Sequence, residues 1–224
     1  MEGVGDDPQR DRTDSGIGRD LASTVGAVVL AAGLSSRFEA GPKQLAVHRG
    51  ETLVRRTART LLASRCHPVV VVLGHRAEAV RRELDDLDPL VLATNPRPER
   101  GLASSVAVGL AALREREPTV SAALFVPIDL PGLDASLVDR LVQAHVDEPD
   151  RVVQPRHDGR PASPTLFPAR LFEALAGLHG DEGGRQLIRS GEPVRWVEVE
   201  DRHQVVDVDT VEDLAALSSA GDRR

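Results

Sequence analysis

Four residues stand where chemistry could be built: Arg37, Lys43, Asp129 and Asp209, each close behind an apolar run. Lys43 is the single lysine in a chain with 28 Lys plus Arg. Where every other strong base is arginine, a lone ammonium points to a site that wants a compact point charge rather than a planar fork. Asp129 lies in Pro127-Ile128-Asp129-Leu130-Pro131, directly after the apolar run Ala122-Ala123-Leu124-Phe125-Val126. A carboxylate beyond the end of a buried strand is well placed to hold Mg²⁺, which takes one or two carboxylates and completes its shell with water and phosphate oxygens. Against this stands the plainer reading, in which the charges are solvated and Asp129 only makes a turn beside two prolines.

The element that must position Arg37 and Lys43 is the run GAVVLAAGLSSRFEAGPKQL, residues 26–45. Ala27 to Leu30 reads as a strand that breaks into Ala31-Ala32-Gly33-Leu34-Ser35-Ser36. A loop of small residues after a buried strand lets backbone N–H groups crowd round an anion, and the two cations complete a polyphosphate cradle. Leu30, Ala31, Ala32, Gly33, Ser35 and Lys43 are therefore nucleotide-binding candidates. The loop lacks the G-x-G-x-x-G dinucleotide fingerprint, and Lys43 follows Pro42 rather than the glycine of a P-loop.

Further along, the apolar spacing predicts a helix over 52–63, a central strand over Val69–Leu73, a helix over 77–84 and a strand over 90–93. Asn95, the only asparagine, leads through a Pro- and Arg-containing loop to Ser104 and Ser105 at the head of a helix that runs to Leu113. An amide and free helix N–H groups there suit a ribose hydroxyl or a phosphate, although each serine alone is an ordinary cap. After the strand ending at Val126, a helix capped by Asp134 reaches His145, followed by a strand over 151–154, a return strand over 159–167 and short helices over 172–178 and 185–189. The spacing in Val205-Val206-Asp207-Val208-Asp209 predicts a last strand with both carboxylates on one face. Such a pair needs a cation or a solvent cleft. Thr210 and Asp213 have the spacing of a capping box.

This succession indicates a single α/β domain, three-layered α/β/α and doubly wound around a mostly parallel sheet, spanning residues 25–218. Residues 1–24 read as a disordered leader and 219–224 as a loose tail. A net charge of −7, 2% aromatic residues and no tyrosine argue against a nucleic-acid binder. No apolar run approaches a membrane span, and one cysteine, Cys66, leaves no thiolate cluster, so a cytoplasmic setting without membrane partners is expected.

Taken in order, the motifs resemble those of the MobA/MocA-like nucleotidyltransferases, which couple nucleotides to the molybdenum cofactor. Leu30-Ala31-Ala32-Gly33, Ser35, Arg37 and Lys43-Gln44-Leu45 match its L-A-A-G-x-S-x-R…K-x-L signature, with Arg37 and Lys43 one residue further apart than in the pattern. Asp129-Leu130-Pro131 matches D-x-P, Gly180 to Arg185 matches G-D-x-G-x-R, and Asp207 to Leu214 matches D-x-D-T-x-E-D-L. Ala162-Ser163-Pro164 stands where Gly-His-Pro is usual. The resemblance implies a fold of the Rossmann-like nucleotide-diphospho-sugar transferase type. It also implies Arg37, Lys43 and Asp129 as catalytic residues, Asp129 and Asp209 as Mg²⁺ ligands, and Ser163, Asp181, Gly183 and Arg185 on the acceptor side. Two readings stand for Asp181: acceptor or metal contact, and helix cap. The L-A-A-G form points to CTP, and the family to a molybdopterin-type acceptor and to a molybdoenzyme or chaperone as the recipient of the product. The alternatives are a sugar, polyol or phospholactate phosphate as acceptor, or a nucleotide-binding regulatory module without turnover.

Overall fold

Val69–Leu73 is apolar at every position because both of its faces are covered. Val69, Val71 and Leu73 join one cluster with Val54, Ala58, Leu61, Leu137 and Leu141. Val70 and Val72 join a second cluster with Val106, Leu110 and Leu113. Strand side chains alternate with period two, so helices on both sides demand an uninterrupted apolar strand. The result is a three-layer α/β/α sandwich, with the sheet in the middle.

These features come from a computed structural model, which describes residues 23–33, 38, 41–181 and 183–221. Ser35, Arg37, most of the leader and residues 222–224 lie outside the described residues. The strands are β1 (Val25–Ala31), β2 (Val47–His48), β3 (Glu51–Thr52), β4 (Val69–Leu73), β5 (Leu90–Thr94), β6 (Ala122–Pro127), β7 (Val152–His157), β8 (Arg160–Pro161), β9 (Thr165–Pro168) and β10 (Val194–Glu198). The helices are α1 (Leu53–Leu62), α2 (Ala77–Arg82), α3 (Leu102–Arg116), α4 (Ala135–Asp147), α5 (Phe172–Ala176), α6 (Arg185–Arg189) and α7 (Val211–Gly221). The main sheet runs β10-β7-β9-β6-β1-β4-β5, with β8 hung on β7. β1, β4, β5 and β6 are mutually parallel, and β9 is inserted antiparallel between β6 and β7. Chain order reverses between β1 and β6, so the crevice beyond their carboxyl ends is the topological switch point.

The return strand expected over 159–167 is split into β8 and β9, and β9 supplies the antiparallel member. Val205 to Asp209 forms no strand. The sheet edge beside β7 is taken instead by β10, whose alternating Val194, Arg195, Trp196, Val197, Glu198 suits an edge with one wet face. Val205 and Val208 are buried anchors of a loop rather than ladder members. α7 continues through Gly221, past the start of the expected tail. No helix among the described residues is long and apolar enough to cross a membrane.

One buried group makes stability depend on pH. His145 of α4 is almost fully buried, with Nε2 3.3 Å from Ser121 Oγ and Nδ1 lacking a partner among the described residues. Burial lowers its pKa below the ordinary imidazole value, against a smaller upward pull from Asp150. The unfolded chain therefore takes up the proton first, and stability, complete above about pH 6.5, is lost as pH falls below it. The loss is about 1.4 kcal/mol for each tenfold by which the unfolded chain binds that proton more tightly than the folded one. His48, lowered by burial and by Arg56 and Arg49, acts in the same direction. Thermal unfolding should show Tm falling between about pH 7.5 and 5.5, with a shallower slope in His145→Gln. An unchanged slope in that variant would show that His145 is not the group responsible.

Candidate functional site

Asp129 leaves the end of β6 in a turn held between Pro127 and Pro131. Lys43 opens a 3-10 turn, Lys43–Leu45, that follows the loop after β1. The two elements are neighbours because β1 and β6 pair in parallel, so the ammonium meets the carboxylate across the switch point. Lys43 Nζ donates to Asp129 Oδ2 at 3.1 Å and to Asp209 Oδ1 at 3.2 Å. Side-chain exposure is 11% for Lys43, 25% for Asp129 and 47% for Asp209.

Asp209 reaches the site through its backbone. Val208 N–H donates to Asp129 O at 2.9 Å, which hangs the Val205–Asp209 loop on the β6 turn. The next residues form the expected reciprocal cap: Asp213 N–H donates to Thr210 Oγ1, and the N–H groups of Thr210 and Asp209 both donate to Asp213 Oδ2. Val208 also joins Phe38, Leu53 and Leu214 in a small cluster that seats α7 beside α1. The pair of aspartates is thus close by loop anchoring rather than by strand alternation.

Burial pushes the Asp129 carboxyl above the usual carboxylate range; Lys43 pulls it back, and Asp207 pushes it up again. Lys43 bonds two carboxylates, and the charge of Asp207 acts on Asp129 as well. The donor set fits a hard divalent cation: Asp129 and Asp209 already share one cationic partner, and both offer oxygen. No cluster of three or more metal-binding side chains exists among the described residues, as expected where substrate oxygens complete the shell.

The loop candidates lie together beside this trio. Leu30 is half-buried, Ala31 and Ala32 are buried, and Gly33 is exposed. Gln44, a neighbour of Lys43 that sequence reasoning passed over, reaches back to this loop with its amide. Its adjacency to the lone lysine is the only signal it gives.

The candidates before α3 are placed differently from expectation. Asn95 is buried, and its Nδ2 donates to Ser104 Oγ at 2.9 Å and Ser105 Oγ at 3.0 Å, while its Oδ1 accepts from Arg97 N–H. The N–H groups of Leu102 and Ala103 donate to Asp181 Oδ1 and Gly180 O. The helix N-terminus is therefore sealed by the 180–181 loop instead of standing free for a phosphate. A Cβ at Gly101 would lie 2.7 Å from the Gly180 carbonyl carbon, and its φ of +91° favours glycine as well. Asp181 is a cap, though of α3 rather than of α6. Asn95, Ser104 and Ser105 hold the same corner.

A cleft of about 710 Å³ opens beside the trio. Ser163, Asp181 and Arg185 line it, whereas Gly183 is buried beside Leu102. One wall is apolar, made by Leu30, Leu102, Val106, Phe125 and Phe167. Leu30 reads in the sequence as a nucleotide-binding candidate; the other four read there only as helix or strand core.

The crevice at the switch point holds an ammonium between two carboxylates beside a small-residue loop after β1, and the family match gives the class as nucleotidyltransferase. Residues 27–196 match the MobA-like NTP transferase domain, and the chain belongs to that family. It is 35% identical over 208 residues to a protein named nicotine blue oxidoreductase from Paenarthrobacter nicotinovorans, covering 88% of this chain and 98% of that one. It is 27% identical over 205 residues to a probable molybdenum cofactor guanylyltransferase from Mycobacterium ulcerans, covering 87% and 94%. The crystal structure of Rv0371c from Mycobacterium tuberculosis in complex with manganese superposes with a TM-score of 0.72 at 29% identity, covering 88% and 99%.

Proposed function

We propose that this chain transfers CMP from CTP to a molybdopterin-type acceptor, with Mg²⁺ as cofactor and release of pyrophosphate. The observation that carries the reading is the trio of Lys43, Asp129 and Asp209 at the switch point. A phosphate oxygen of the acceptor attacks the α-phosphorus of the nucleotide; one O–P bond forms, the α–β bridge breaks and pyrophosphate leaves. The protein has to align the two substrates and neutralise their charge.

In this reading Lys43 binds phosphate oxygens, with Arg37 as a second cation. Asp129 and Asp209 hold the divalent ion, which when bound offsets the charge of the phosphates. Ala31 to Gly33, followed by Ser35, line the triphosphate, while Ser163 and Arg185 face the acceptor. Asn95, Ser104, Ser105 and Asp181 act as positioning residues at the corner of α3. That the M. tuberculosis relative forms a complex with manganese supports a divalent ion as cofactor.

CTP rests on the Ala31-Ala32-Gly33 form of the loop. Ala32 is buried against Gly74, so it acts on base choice through the path of the loop rather than by touching the base. GTP is the direct competitor, since the M. ulcerans relative is named for guanylyl transfer.

The test is Mg²⁺-dependent pyrophosphate release with molybdopterin, with and without molybdate, using CTP, GTP, ATP and UTP in turn. Release with CTP alone supports the proposal in full, and release with GTP moves the base. The name of the P. nicotinovorans relative supplies a second arm, in which nicotine blue absorbance is followed with a reductant. Pigment turnover without pyrophosphate release from any nucleotide would replace the transfer reading.

A further inference from the structure

The three carbonyls at the end of β1 are all held by donors, on two opposite sides. Gln44, 1% exposed, donates from Nε2 to Ala31 O at 3.0 Å and to Gly33 O at 2.6 Å. On the other side, His75 N–H donates to Ala32 O at 3.3 Å. Gly74 allows this approach: a Cβ there would lie 2.6 Å from Ala32 O and 2.8 Å from Ala32 Cα. The loop is clamped between a side-chain amide from the Lys43 turn and the backbone at the end of β4.

The clamp decides which polar groups the cleft sees. Ala31 O and Gly33 O both face the Gln44 amide, and Ala32 O faces the backbone N–H of His75. Uncovered, the carbonyls would turn their negative ends toward an incoming phosphate. The carboxamide covers both with one nitrogen.

We infer that Gln44 is a positioning residue for nucleotide binding, which masks the Ala31 and Gly33 carbonyls so that neither turns its negative end toward the phosphates. The inference rests on the reading that a triphosphate occupies this loop. Glutamine is the side chain for the task. Glutamate would set lone pairs against both carbonyls, methionine has the length without the donors, and asparagine is too short to span both acceptors.

The test compares Gln44→Met and Gln44→Glu with the wild type by calorimetric titration of CTP and GTP, by KM and kcat, and by thermal unfolding. Gln44→Met is expected to weaken nucleotide binding roughly ten- to a hundredfold, with KM rising by more than kcat falls. Gln44→Glu should bind more weakly still. A purely structural role would lower Tm and the active fraction and leave the KM of the folded protein unchanged. In wild-type protein labelled with ¹⁵N-glycine, the Gly33 amide resonance should shift as nucleotide is added; this holds whether or not a variant folds. If the wild type binds neither nucleotide, the proposed function and this inference fall together. If the wild type binds and Gln44→Met binds within about threefold of it, or the Gly33 amide does not move, only the role of Gln44 is overturned.

Discussion

Lys43→Ala is expected to lower turnover at least a hundredfold while leaving a folded protein. Removing one preorganised donor from a transition state that gathers negative charge costs about 2.7–4 kcal/mol, or two to three orders of magnitude in rate. Lys43 is the only lysine, and its ammonium, 11% exposed, lies within hydrogen-bond distance of both aspartates. Lys43 Nζ is ion-paired with both Asp129 and Asp209. The fold survives because burial already raises the Asp129 carboxyl, so protonation relieves the charge that the lost ammonium leaves behind. Lys43→Arg should restore only part of the rate, since a planar fork cannot take the place of a point donor between two carboxylates. Steady-state turnover and circular dichroism decide the matter. Activity of Lys43→Ala within tenfold of the wild type would remove Lys43 from the reaction.

Asp129→Asn carries the second large effect. The substitution keeps shape and an acceptor for Lys43 but removes a charge assigned to the divalent ion, so turnover should again fall about a hundredfold or more. Manganese affinity without nucleotide, read by electron paramagnetic resonance, should fall with it. Stability should move the other way. A carboxyl raised in the folded state binds its proton more tightly there than in the unfolded chain, so ionised Asp129 lowers stability once pH exceeds its unfolded value. At neutral pH Asp129→Asn should therefore unfold no lower than the wild type. Asp209→Asn should cost less metal affinity, because Asp209 is 47% exposed against 25% for Asp129. Equal manganese affinity in Asp129→Asn and wild type would refute the assignment.

The central strands were legible because burial on both faces leaves no room for polar residues, as in Val69–Leu73 and Ala122–Val126. Edge elements were not. β10 carries Arg195 and Glu198 on a wet edge, and the more apolar Val205–Val208 looked more like a strand while serving as a loop anchor. Lys43, Asp129 and Asp209 were legible as residue types out of place in their surroundings. The resemblance grouped Asp129 with Asp209, and the structure adds how they meet, through Lys43 and the backbone bond from Val208 to Asp129. The corner of α3 was legible in composition only: Asn95, Ser104 and Ser105 could be picked out, and the structure adds their hydrogen bonds to each other and those of the helix N–H groups to Gly180 and Asp181.

Lys43 lies 86 residues before Asp129 and 166 before Asp209. A ribosome adds about 5–20 residues per second, so roughly ten to thirty seconds separate the emergence of the ammonium from that of its second carboxylate. During that interval the growing chain holds the loop after β1 and one half of an ion pair, and the segment that hangs Asp209 on β6 does not yet exist. A chain that stalls between Glu198 and Asp209 has the strands of the main sheet and only one of the two carboxylates that Lys43 bonds. In the proposed reading, the site is complete only once Asp209 has been added.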